Sequence, residues 1–160
     1  MTTSAPDAPG GTALPRGIRN NNPCNLRPNG IAWQGLVGTD TGGDQGTYLK
    51  FASTAFGLRA GAKVLIAYQQ SHGIHTLLGV FERWAPGSDD NSPTAYAQFV
   101  ANNLGVGPTD DVDLTDPQTL AALLCAIVRM ENGPPPDGQA QWIEDAVIQS
   151  GVALALGEAA

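Results

Sequence analysis

Apolar and polar positions divide the chain into a polar opening, a short strand-like stretch and a long helical remainder. The clearest helix lies over Leu120 to Asn132. Leu120, Leu124, Ile127 and Glu131 recur at i, i+4, i+7 and i+11, which is one face of a 3.6-residue helix. Asp116 suits its N-cap and Pro117 its first turn, where a missing N–H costs nothing. Gly133 offers a left-handed C-cap, and Pro134 to Pro136 forbid continuation. Upstream, Thr54 to about Ser71 reads as one long helix, apolar on most sides (Phe56, Leu58, Val64, Leu65, Ile66, Tyr68) and stopped by Gly73. Such a helix belongs at a domain centre, and Gly57 and Gly61 would let neighbours approach closely. Shorter helices are predicted from Thr76 to Trp84 and after the Ser92-Pro93 cap, the latter carrying Tyr96, Phe99, Val100 and Leu104. A last one, about Gln139 to Ala155, would bury Trp142, Ile143, Ala146 and Val147. Strand-like runs at Ile31 to Trp33 and Thr47 to Phe51 flank a Gly-rich connection from Gly38 to Gly46. The pattern predicts a mainly α (α+β) fold of about five helices with one small β-hairpin. Residues 1–14 read as a low-complexity, disordered leader and 15–160 as one domain.

Composition narrows the function classes. The 160 residues are 42% apolar and 14% charged, as in a globular protein with one real core. A net charge of -7, with no basic block, argues against nucleic acid or an anionic membrane as partner. Two cysteines make neither a disulfide framework nor a zinc site. No run approaches a membrane span, so no membrane insertion is expected, and the opening residues lack a signal-peptide pattern. A target outside the cytoplasm would then require delivery by other means.

Few residues are placed for chemistry. Glu131 falls on the apolar stripe in the last turn of its helix, where a loop opens. Partial desolvation and the negative end of the helix dipole both raise a carboxyl pKa there, as a general acid near neutral pH requires. The alternative is a glutamate that turns to solvent as the helix frays. The other glutamates, Glu82, Glu144 and Glu158, occupy solvated helix faces or the terminal tail. Asp40 and Asp44 lie in the Gly-rich connection, where aspartates often form turns. Four asparagines in the six residues from Asn20 to Asn25 suit either a knot of Asx-turns or a polar wall for sugar hydroxyls and acetamides. His72 and His75 lack further ligands nearby, so no metal and no cofactor are expected. Cys24, with a histidine and an asparagine, is the alternative nucleophile. It follows Pro23 in a turn, however, and lacks the cationic setting a thiolate prefers. Cys125, mid-helix, reads as core.

Arg16-Gly-Ile-Arg-Asn-Asn-Asn-Pro-Cys-Asn-Leu26, Trp33-Gln-Gly35 and Phe56-Gly-Leu-Arg-Ala60 resemble a family of phage and prophage lysins. So do Arg83-Trp-Ala-Pro86, Asn91, Thr94, Tyr96 and the closing Glu131-Asn-Gly133. The motifs occur in the family's order over about residues 15–155, and the family is similar to the lytic enzyme of enveloped double-stranded-RNA phages. The resemblance implies a lysozyme-like, lytic-transglycosylase-type fold acting on peptidoglycan glycan strands. A likeness to flagellar-type glucosaminidases, whose Glu-bearing helix comes first instead of last, implies a circular permutation. Glu131 would then be the general acid/base, with Asp44, or less favourably Asp40, as a second carboxylate if the enzyme is a hydrolase. Asn21, Asn22, Asn25, Asn91 and Tyr96 become candidates for substrate contacts, and Trp84 a stacking or scaffolding aromatic. Cys24 stands where the family usually has glycine, so a strained positive φ is expected there. The protein would be made in the cytoplasm and reach the wall by phage, holin or secretion apparatus. Two rivals stay open: a Cys24-dependent amidase or endopeptidase on the peptide stem, and a non-catalytic glycan-binding component of a virion or secretion machine.

Overall fold

The computed structural model describes residues 14–42, 46–85 and 92–157. Among them are α1 (Arg16–Arg19), β1 (Leu36–Asp40), β2 (Tyr48–Phe51), α2 (Thr54–His72), α3 (Leu77–Trp84), α4 (Pro93–Leu104), α5 (Pro117–Asn132) and α6 (Asp145–Ala155). The architecture is mainly helical, six helices with one two-stranded antiparallel sheet, in the α+β class.

Local chemistry starts the helices where the sequence says. Ser53, Thr76, Ser92 and Asp116 each accept a backbone N–H of the following turn through the side chain, which satisfies an otherwise orphaned donor. Gly73 and Gly105 end α2 and α4 in the left-handed conformation. Gly133 ends α5 at positive φ (83°) but with ψ -175°, so it turns the chain outward without forming a left-handed cap.

The core gathers α2, α5 and α6, with α4 against α5 and α3 against α4; Leu58, Leu65, Phe81, Leu120, Leu124, Ile127 and Ile148 are fully buried in it. The Asn-rich loop lies directly on α2. A side chain at Gly57 would meet the Asn21 carbonyl, and one at Gly61 would come within 2.7 Å of Cys24 Sγ. A smaller cluster of Leu49, Phe51 and Ala60, with Trp33, Leu36 and Phe56, fixes the hairpin to the same helix.

Three expectations change. Ile31 to Trp33 is not a strand: Leu36 N–H reaches back to the Trp33 carbonyl at 3.2 Å, closing a turn, and the first strand starts only at Leu36. That strand is mostly exposed, with Val37 at 63%, and so lacks the alternation that marks a half-buried strand. Residues 139–144 are not helical. Trp142 Nε1 donates to the Gly133 carbonyl at 2.8 Å and Gln141 Nε2 to the Ile143 carbonyl at 2.5 Å, so side chains take up local backbone acceptors before α6 begins. Ala146 is exposed, and Ile148, Gly151, Val152 and Ala155 form the buried face of α6. Finally, the backbone at Cys24 is unstrained; the positive φ angles fall on Asn21 (55°) and Asn25 (52°). Asparagine tolerates that region because its short amide bonds locally.

Candidate active site

Helix α5 carries Glu131 to its end because everything before it is anchored. The Asp116 carboxylate accepts both the backbone N–H and the hydroxyl of Thr119, at 2.9 and 3.1 Å. Leu120, Leu123, Leu124, Ile127 and Val128 then bury successive turns. Glu131 arrives half-buried, and two donors from distant parts of the chain meet its carboxylate. Trp84 Nε1 donates to Oε2 at 3.1 Å, and Asn25 Nδ2 to Oε1 at 3.3 Å. The same Asn25 nitrogen lies 3.3 Å from the Glu131 backbone carbonyl. One residue on, Asn132 Nδ2 donates to the carbonyls of Pro23 and Val128, each at 2.8 Å, so the helix end and the Asn-rich loop are tied twice.

The loop is equally specified. Asn22 is fully buried with its amide saturated: Nδ2 donates to the Leu26 and Leu49 carbonyls and Oδ1 accepts from Leu26 N–H, all at 3.0 Å. Asn21 donates to the Phe51 carbonyl at 3.1 Å and accepts from the Thr54 hydroxyl at 3.2 Å. Both therefore stitch the loop to the hairpin and α2, and neither lines the cleft beside Glu131. Asn25 alone of these three reaches the carboxylate, and there it positions Glu131. Gly17 makes room for this: a Cβ there would stand 2.5 Å from Asn25 Oδ1 and 2.7 Å from Asn132 Oδ1.

Glu131 opens onto a cleft of about 670 Å³. Val64 and Tyr68 of α2 contribute to it, with Trp84 and Ala85, the Cys24–Arg27 segment and Tyr48. Among the described residues, the hairpin wall is supplied by Tyr48 of β2. Two guanidinium groups, those of Arg16 and Arg27, lie over the Tyr48 ring, each 4.6 Å from its centre. Arg27 Nη2 donates to the Tyr48 hydroxyl at 3.0 Å. Tyr68 meets Trp84 edge-on, with ring centres 6.3 Å apart, and carries the Arg83 guanidinium over its face at 5.2 Å.

The electrostatics suit an acid. Burial raises the Glu131 pKa above the usual carboxylate value, while the Trp84 and Asn25 hydrogen bonds and the Arg27 charge work against the rise. Cys24 is only 2% exposed, and burial together with the Glu131 charge pushes its thiol well above the ordinary range. A thiol so placed makes a poor nucleophile.

The remaining sequence candidates divide. Trp84 lies in the cleft as a donor to Glu131. Asp40 is engaged elsewhere: Arg16 Nε meets its carboxylate at 2.9 Å and Asn20 Nδ2 at 3.0 Å, and these bonds hold its pKa well below the usual range. It ties α1 to β1 and is not among the cleft's lining residues. Tyr96 stacks on Phe81 at 5.8 Å and borders a different hollow, with Phe99 and Arg129. Asp44 and Asn91 lie outside the described residues. No group of three or more metal-ligating side chains occurs among the described residues. Tyr68, Arg27 and Tyr48 escaped the sequence reading. Val64 and Tyr68 do share an i, i+4 stripe, but that stripe is indistinguishable from core.

No protein-family model matches the chain. The sequence is similar to Protein P5 of Pseudoalteromonas phage PM2, at 34% identity over 124 residues that cover 76% of this chain and 73% of the phage protein. By that identity and coverage the chain belongs to the family of the PM2 phage protein P5.

Proposed function

We propose that the protein is a peptidoglycan glycosidase, a muramidase or lytic transglycosylase that cleaves the β-1,4 bond between N-acetylmuramic acid and N-acetylglucosamine. The observation that carries this reading is the half-buried Glu131 carboxylate, held by Trp84 and Asn25 at an open cleft with its pKa raised. A glycosidase needs a carboxyl that is protonated when substrate binds and aimed at a cleft wide enough for a sugar. Kinship with a phage protein supports delivery to the wall with or from a phage. The Asn-loop, Trp-x-Gly and Glu-Asn-Gly motifs support a lysozyme-like fold with its acid-bearing helix permuted to the end of the domain.

Glu131 donates its proton to the glycosidic oxygen as the bond to C1 breaks. Of the two acceptors, the muramoyl 6-hydroxyl asks least of the protein. Glu131, now a carboxylate, takes the hydroxyl proton while the oxygen attacks C1, which closes a 1,6-anhydro ring and restores the acid. Hydrolysis would call for a second carboxylate to activate water. Asp40 is committed to Arg16, and Asp44 is the residue to test for that role.

Mass spectrometry of purified peptidoglycan after digestion decides among the readings. New anhydromuramic ends are expected, and a reducing muramic end would mark the hydrolase. Cut stem peptides would overturn the glycosidase in favour of an amidase or endopeptidase. Intact glycan and stems, with binding retained, would make the protein a non-catalytic binder.

A further inference from the structure

On the other side of α5 from Glu131 lies a hollow of about 540 Å³, within the ~300–1,000 Å³ of small-ligand sites. Arg129 borders it. Arg129 and Glu131 are two positions apart, about 200° around the helix, which aims the two side chains to nearly opposite sides. A second hollow of about 140 Å³ shares Phe99 and Arg129 with the first, so the two adjoin as one surface trough.

The lining chemistry is specific. Phe99, 49% exposed, and the half-buried Trp142 supply aromatic surface. Asn103, Gln118 and Gln149 border the trough as exposed, neutral amides with no side-chain hydrogen bond to another described residue. The charged residues of the larger hollow are Arg129 and Asp145, which cancel, although the whole chain carries -7. Apolar ring faces beside unengaged amides, without net charge, match an uncharged polyol bearing acetamides: the rings stack on sugar faces and the amides exchange hydrogen bonds.

We propose that this trough is a second, non-catalytic site for a β-1,4-linked N-acetylamino-sugar chain. The inference rests on reading the Glu131 cleft as a glycosidase site and adds to it an anchor. A glycan strand held on one face of α5 raises the effective concentration of neighbouring strands at the cleft on the other.

The full-length Glu131→Gln protein, titrated with the β-1,4-linked N-acetylglucosamine tetramer, tests both sites at once. Trp142 borders the trough and Trp84 the cleft, so their indole N–H resonances report separately. Saturable movement of Trp142 is expected, and Phe99→Ser with Gln118→Ala should weaken it about tenfold. Both positions are exposed, so the circular dichroism spectrum and the Trp84 response should not change. An unmoved Trp142 overturns the trough, and if Trp84 still responds the cleft reading survives. A Trp142 that moves while Trp84 stays silent upholds the trough and counts against the cleft. Equal movement with maltotetraose, which lacks acetamides, overturns the proposed ligand class. A response only to a leucine-rich helical peptide overturns the trough as a sugar site and makes it a protein-docking surface.

Discussion

Trp84 Nε1 points at Glu131 Oε2 from 3.1 Å, so the last residue of α3 holds the acid presented by the end of α5. The bond favours the ionised carboxylate and thus opposes the upward push of burial on its pKa. Trp84→Phe keeps an aromatic ring and removes the donor. A general acid loses activity as pH rises through its pKa. With Trp84→Phe that pKa rises further, and the alkaline limb of the kcat/KM profile should move to higher pH. The rate at the optimum should drop by roughly tenfold as the carboxyl loses one of its two anchors. A limb that stays in place, or moves to lower pH, would show that the bond does not tune Glu131.

How much of this site could be read in advance follows from where each determinant lies. The cap at Asp116, Pro117 at the helix start and the stripe from Leu120 to Glu131 are local, so the sequence alone places the acid at a helix end. Its partners are 47 and 106 residues away, and no local pattern says that Trp84 or Asn25 arrives there. The first strand of the hairpin lies later in the chain than its pattern predicts for a similar reason, whereas the second, Tyr48–Phe51, falls within the expected Thr47 to Phe51. β1 has little apolar alternation of its own, and Arg16 reaches the carbonyls of Asp40 and Gly46 at 2.8 and 2.7 Å from far outside the strand. Trp142 looked like a helix residue because its bond to Gly133 crosses a proline-rich turn.

Asp40 ties α1 to β1 through Arg16, and its carboxyl pKa is depressed in the folded chain. A depressed carboxylate lends stability above its unfolded value, near pH ~3.9, and loses that contribution as pH falls toward the folded value. Asp40→Asn should therefore lower Tm at pH 7 by about 2–4 °C, and the gap to wild type should start to narrow only below pH ~4 and shrink progressively as pH falls further toward the folded value. Scanning calorimetry at pH 7 and at steps below pH ~4 measures this. A gap that widens in acid would contradict the assignment of Asp40 to the ion pair.

Cys24 packs against Gly61 with a negative φ, so it is a core residue and not a strained substitute for glycine. Cys24→Gly should destabilise by about 1–2 kcal/mol in urea unfolding, through the lost side chain and the added backbone freedom. Iodoacetamide should leave the proposed glycan cleavage intact in the native protein, because the buried thiol is neither accessible nor ionised. Inactivation in proportion to Cys24 alkylation, with the circular dichroism unchanged, would revive the thiol mechanism.

Gly17 offers the most demanding test of how the acid is held, because it touches Glu131 only through others. It sits in α1, and a Cβ there would lie 2.5 Å from Asn25 Oδ1, 2.7 Å from Asn132 Oδ1 and 2.9 Å from the Asn22 carbonyl. None of these neighbours can give way freely. Asn22 is saturated by Leu26 and Leu49, and Asn132 is tied to Pro23 and Val128. Asn25 yields most easily, and moving it removes the second donor from the Glu131 carboxylate. Gly17→Ala should thus cost both stability, about 1–3 kcal/mol by overpacking, and activity, more than tenfold. Asn25→Ala separates the two effects. It removes the donor and leaves space at Gly17, so combining it with Gly17→Ala should add little further loss of rate. Fully additive losses in that double-mutant cycle would mean that Gly17 acts on the proposed activity by some route other than Asn25.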